Sequence, residues 1–306
     1  GDDRLSPASL RTLDHVAGAE KMAGKGDVVV GEEVVYALGN SVEISEWRTA
    51  EDGTRYAVIG DLVAWPEPAP HPSLEGLSLP ESETRSWALP PVYSRLQAGT
   101  KFLAELRPTV ALFLKFSGID YDNDEDAGRK LDAYVRWLQA TAQEQGGFLI
   151  QLTIGDKGSY AYLSFGAPVA HDDDSIRAVA AAIDLLKVPV ELDFVTGNQI
   201  GISRGRVWVG ECGARVRHTY GVMGNEVNMA ARLMGKAGAG QILVRRRVAD
   251  EARQAFQFRQ LGLMTVKGGA EPIPVAEVAG RQLIQSLQTT QFDRPLVGRE
   301  AEVEQL

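Results

Sequence analysis

Apolar and polar positions fall into two alternating kinds of stretch between residues 105 and 280. TVALFLKF (109–116) is a continuous apolar run of strand length. Residues 124–145 then space Leu131, Val135 and Leu138 at helical intervals behind an acidic front, which predicts an amphipathic helix. GFLIQLTI (147–154) and SYAYLSFG (159–166) flank GDKG, the signal of a hairpin turn. DDDSIRAVAAAIDLLK (172–187) reads as a second helix with acids at its N-terminus. QIGISRGRVWVGECG (199–213) predicts another hairpin, turning at Arg204 and Gly205. TYGVMGNEVNMAARLM (219–234) is a glycine-punctuated turn running into a helix. The order βαββαβ with an extra hairpin predicts an α+β fold, a ferredoxin-like sandwich whose sheet is covered on one face by two helices. The other face and the sheet ends are then left for a partner.

The same pattern occurs twice in part. AGKGDVVVGEEVV (23–35) aligns without gaps to AGAGQILVRRRVA (237–249), and a strand pair follows each copy. The second copy has about 130 residues before this echo and the first has 22. Residues 1–66 are therefore expected to be the C-terminal remnant of a first domain, and 101–282 a fuller second one. The shared offset pairs Asp14 with Asn228 and Gly18 with Arg232, so the first copy lacks the polar pair of the second. Residues 67–100, with prolines concentrated up to Pro91, predict an extended linker and a lead-in helix. Residues 283–306 form a second linker and the start of a further segment.

Composition narrows the function. A net charge of -9 and the lack of a basic tail argue against non-specific nucleic-acid binding. Cys212 is the only cysteine, which rules out an internal disulfide and fits a reducing compartment. No apolar run approaches the ~20 residues that span a bilayer, and GDDRLSPASL has no signal-peptide pattern, so a cytoplasmic setting is expected.

The helix after residue 224 carries the most pointed chemistry. Asn228 and Arg232 stand at i and i+4, on one helix face, among small and apolar neighbours. A guanidinium is a fixed fork matched to phosphate oxygens, and an amide both donates and accepts. Gly221 and Gly224 let backbone approach a ligand closely. An exposed polar face explains the same pair equally well. Other candidates are weaker. GDKG lacks phosphate-loop spacing. Asp120, Asp122 and Asp124 imitate a calcium loop, but Glu125 and Leu131 stand where glycine and a bidentate glutamate are required. His15, His71, His171 and His218 have no ligand spacing, and RRR at 245–247 reads as a solvated face.

Together, ELRPTVALFLKFSGID, QLTIGDKGSYAYLSFG, IGISRGRVWVG and TYGVMGNEVNMAARLM resemble the class III nucleotidyl cyclases, in particular the second catalytic half of soluble adenylyl cyclases. PLVGREAEVEQL (295–306) resembles the opening of a P-loop ATPase module. The resemblance implies two halves that share one ATP site, with two Mg²⁺ or Mn²⁺ ions held mainly by aspartates of the first half. It implies that Asn228 orients the ribose and Arg232 stabilises the phosphate charge, and that Gln151 and Gly221 occupy base-reading positions. Lys115 replaces the first metal aspartate, and Asp156 matches the second alone. A protonated lysine repels a divalent ion, so this half holds no confident metal site. Lys115, Gln151 and Gly221 equally suit a catalytically silent cyclase-like domain that regulates a following ATPase.

Overall fold

The computed structural model describes residues 7–65, 80–99, 104–121, 123–154, 158–213, 218–266 and 271–282. Asp122, Asp156 with the rest of its turn, the linker at 66–79 and the terminal segment 283–306 lie outside the described residues. The first elements are α1 (Pro7–Met22), β1 (Val28–Gly31), α2 (Glu32–Leu38), β2 (Val42–Thr49) and β3 (Arg55–Leu62). They build a three-stranded antiparallel sheet in the order β1-β3-β2.

Two short helices follow, α3 (Glu81–Ser86) and α4 (Pro90–Gln97). α4 overlaps the expected lead-in helix, and α3 stands where extended linker is expected. The local reason at α4 is that Pro90 and Pro91 fall in the first helical turn. There the missing amide proton costs nothing and the fixed φ suits the helix.

The larger sheet is built on β4 (Glu105–Ser117), α5 (Ala127–Glu144), β5 (Phe148–Thr153), β6 (Ser159–Phe165), α6 (Asp174–Leu185), β7 (Gly197–Gly213) and β8 (His218–Met223). It continues through α7 (Asn225–Met234), β9 (Ile242–Arg245), α8 (Arg246–Ala252), β10 (Phe256–Met264) and β11 (Ile273–Arg281). The strand order is β10-β11-β9-β7-β4-β6-β5, with β8 paired to β7. The portion β7-β4-β6-β5 is the antiparallel ferredoxin-like core that the βαββαβ order predicts.

β4 is central because almost every side chain from Val110 to Phe116 is apolar, so both of its faces are covered. Val110, Leu112, Leu114 and Phe116 face α5 and α6, together with Val248 and Ala249 of α8. Ala111 and Phe113 face the other way, into a second cluster with Val227, Ala230 and Met234 of α7. The expected two-helix layer is therefore one face of two, and α7 covers part of the face expected to be free. On α5 the inward stripe is Tyr134, Leu138 and Ala142, with Leu131 packed beside it. Val135, expected inward, stands one position round from that stripe. The tyrosine supplies the ring and spends its hydroxyl on Asn198 at 3.0 Å.

The predicted turn at Arg204 and Gly205 does not form. β7 runs unbroken for 17 residues, and its first 13 pair with β4. The antiparallel partner that follows it is β8, which pairs with its last six residues.

The two sheets share a module. β9 lies 214 residues after β1, α8 lies 214 after α2, and β10 begins 214 after the start of β2. β1 pairs antiparallel with β3 as β9 does with β11. β9 also takes β7 in parallel on its other side, at Ile200↔Ile242 and Ile202↔Val244. β1 is the edge of its sheet among the described residues.

Candidate functional site

α7 is held by what β7 lacks. A Cβ on Gly201 would overlap the Ala230 carbonyl oxygen and the Met234 nitrogen, and would stand 2.8 Å from the Leu233 carbonyl carbon. The helix backbone therefore rests directly on the strand, a contact only glycine permits. Two residues on, the Ser203 hydroxyl donates to Glu226, and Arg245 of β9 pairs with the same carboxylate at 2.7 Å. An acid in the first turn also suits the helix dipole. Sequence reasoning misses this anchor. Its signal is the alternation of small residues at 201, 203 and 205, which reads as a turn.

With that seating, the buried stripe of α7 runs through Val227, Ala230, Leu233 and Met234. At about 3.6 residues per turn, Asn228 and Arg232 lie on the opposite side of the helix. Asn228 is exposed and Arg232 half-buried. Among the described residues neither side chain has a hydrogen-bond or ion-pair partner. The helix thus presents one amide and one fixed cation outward, a turn apart, from a rigid seat. Such a pair can hold a hydroxyl and neutralise a phosphate oxygen without first giving up a partner in the protein.

The remaining candidates are spread over the same side of the sheet. Lys115 has the parity of Phe113 on β4 and lies across from Tyr160 and Gln199. Its side chain passes the turn, with Cε 3.0 Å from where a Gly158 Cβ would stand. A carboxylate is needed at such a place to hold a divalent ion, and the donor present is an amine, so the site does not fit a metal. Asp156 lies outside the described residues. Gln151 is exposed on the edge strand β5, across from Tyr162, and its amide donates to the Thr153 hydroxyl at 3.1 Å. Phe113 stacks on Tyr162, with ring centroids 4.7 Å apart and planes 7° from parallel. The Tyr162 hydroxyl in turn reaches the Val222 carbonyl at 3.3 Å. Burial pushes the Tyr162 phenol well above its ordinary value, so it serves as a neutral donor. Tyr220 of β8 is likewise pushed up, to about 12, by burial.

Gly221 is placed differently from the expectation of an open backbone approach. It is buried, and its missing Cβ faces Cys212 and Trp208 of β7. Gly224 caps α7 and sits tight on Val207, whose Cγ1 lies 3.1 Å from where a Cβ would stand. Both glycines therefore serve packing within the chain. The acidic loop before α5 is likewise internally paired: Lys130 bonds Asp124 at 2.6 Å, and Arg129 bonds Asp126 at 2.8 Å.

Comparison with known proteins adds the following. Residues 151–278 match the family described as the adenylate and guanylate cyclase catalytic domain. Adenylate cyclase type 10 of Rattus norvegicus is 29% identical over 181 residues, which cover 58% of this chain and 11% of that protein. The chain thus spans about a tenth of the length of the adenylate cyclase type 10 relatives. In fold, it resembles the adenylyl cyclase CyaB from P. aeruginosa, with a TM-score of 0.54, 24% identity and coverage of 59% of this chain and 98% of that one. The guanylyl cyclase Cya2 gives a TM-score of 0.53, 24% identity and coverage of 60% and 97%.

Proposed function

We propose, from the match of residues 151–278 to the adenylate and guanylate cyclase catalytic domain, that this chain supplies the Asn/Arg half of a class III adenylyl cyclase. The reaction is closure of ATP to cyclic AMP with release of pyrophosphate. The observation that carries the reading is the outward pair Asn228 and Arg232 on α7, unpartnered among the described residues and fixed by Gly201 and Glu226 behind it. Asn228 holds the ribose so that its 3′-hydroxyl lines up with the α-phosphorus. Arg232 meets the charge that grows on the phosphate oxygens as pyrophosphate leaves. Positioning and electrostatic stabilisation are the main levers in phosphoryl chemistry, so two such groups are a substantial share of the catalytic apparatus.

The two Mg²⁺ or Mn²⁺ ions belong to the partner half, because Lys115 stands on the wrong side of the charge balance for them. Residues 1–66 are the end of that first half. The shared module β1-α2-β2, whose β1 is an edge strand among the described residues where β9 carries β7, supports this assignment. The setting is cytoplasmic, and among the described residues no helix is long and apolar enough to cross a membrane. ATP is the expected substrate from the relatives' names.

A second reading is a catalytically silent cyclase-like domain that governs a following ATPase. Lys115 and the inward-facing Gly221 favour it. The deciding experiment is a cyclase assay on a protein containing both halves, with Mn-ATP and Mn-GTP compared. Turnover of ATP that falls ~10²–10³-fold in Arg232→Ala supports the enzyme. No cyclic nucleotide from either substrate, with retained nucleotide binding, selects the silent domain.

A further inference from the structure

β7 and β9 pair in parallel only as far as Ile202 and Val244. Beyond that point the two strands part, and an open cleft of about 770 Å³ lies at their junction with the starts of α7 and α8. Five arginines line it: Arg204 and Arg206 from β7, and Arg245, Arg246 and Arg247 from the end of β9 and the start of α8. The carboxylates lining it are Glu226, Asp250 and Glu251. Five cations against three anions leave a local excess of positive charge in a chain whose net charge is -9.

The pairing within the cleft leaves donors over. Glu251 is shared by Arg204, Arg247 and the Ser175 hydroxyl. Glu226 is taken by Arg245 and Ser203. Arg246 reaches Asp250 only at 3.6 Å, with both side chains more than half exposed. Arg206 is exposed and has no partner among the described residues. The Arg204 Nε–H is buried without an acceptor among them. The fold does not demand this charge: the positions 214 residues earlier, at the same strand-to-helix turn of the first sheet, are Gly31, Glu32 and Glu33. The three consecutive arginines are thus part of a concave cationic site, where the sequence alone suggested a solvated face.

We propose that this cleft binds a multivalent phosphate anion. The guanidinium fork matches two phosphate oxygens at once, and arginines on opposite walls can grip a ligand with two phosphoryl groups better than a single one. The cleft involves neither Asn228 nor Arg232, so the proposal holds whether or not the chain turns over nucleotide.

The test is titration calorimetry of the full chain with inorganic pyrophosphate, without divalent metal, beside orthophosphate and ATP. One saturable pyrophosphate site is expected, with weaker binding of orthophosphate. Arg206→Glu and Arg246→Glu are each expected to weaken it by about tenfold or more, and Arg136→Ala, on α5 and outside the cleft, to leave it unchanged. Circular dichroism checks that the variants are folded. ATP that binds as tightly as pyrophosphate, with the same dependence on Arg206, identifies a nucleotide's phosphate tail as the source. Preference for pyrophosphate identifies the free anion. Absence of a saturable site overturns the proposal, as does binding that survives Arg206→Glu and Arg246→Glu or weakens equally with Arg136→Ala.

Discussion

At the residue scale, two substitutions on opposite sides of α7 should separate stability from chemistry. Gly201→Val puts a branched side chain where the α7 backbone lies, so either the helix lifts or the strand bends. Overpacking of this kind costs ~1–3 kcal/mol, which for a domain of this size lowers Tm by several degrees. Asn228→Ala removes an exposed, unpartnered amide and should leave stability within about 0.5 kcal/mol of the parent. In a protein with both halves, the same change should cut turnover ~10²-fold or more. Parallel thermal melts and cyclase assays measure both, and a large Tm loss in Asn228→Ala would make it a structural residue. The contrast also marks what is legible. Asn228 and Arg232 stand out in a sequence because polar pairs at helical spacing are conspicuous among small apolar neighbours. Gly201 does not, because glycine in a strand reads as a break, and only the third dimension shows a helix backbone lying on it.

At the element scale, the strands and main helices are legible from periodicity, and the departures have physical causes. β7 reads as two strands because Arg-Gly-Arg looks like a turn, yet pairing with β4 along its first 13 residues outweighs a local turn preference. The placements of α8, which joins the α5 and α6 face, and of α7, which covers the other face, are missed, because periodicity reports which residues are buried but not on which side of the sheet. The way elements lock together gives a pH prediction. Glu251 joins α8 to α6 through Ser175 and to β7 through Arg204. Burial pushes its carboxyl pKa up, but the Ser175 hydroxyl and the Arg204 and Arg247 cations outweigh this and hold it below its ordinary value. Because the folded value is the lower one, the stabilisation is fully present above the unfolded carboxyl's 4.5 and is lost as pH falls through the folded value. Glu251→Gln should therefore lower Tm at neutral pH and shrink the difference from the parent as pH drops below 4.5. A Tm difference that stays constant across that window would show that the charge contributes nothing there.

At the scale of the whole molecule, the chain is asymmetric by construction. One sheet carries the complete ferredoxin-like core with α7 across it, and the other repeats only the module from β9 onward. Among the described residues, the large hydrophobic clusters draw only on positions between Val110 and Val278. A fragment of residues 80–282 should consequently melt cooperatively, close to the full chain's main transition, and loss of that transition would show that the first sheet is needed for folding. The repeat is visible in the sequence as a faint echo. Its significance for the site rests on Lys115, which occupies the α7 side of β4 where the cyclase resemblance expects a metal-holding carboxylate. Restoring that carboxylate tests the division of labour between the halves. Lys115→Asp supplies one ligand, but the described first sheet has no counterpart of β4 or β6 to oppose α7 with a metal pair. The variant should fold, with a Tm near the parent's, and form no cyclic AMP from Mn-ATP above background. Turnover in Lys115→Asp alone would mean that two copies of the larger sheet assemble a complete site. Both ligand sets would then belong to this half, and the assignment of the metals to a different partner would have to be abandoned.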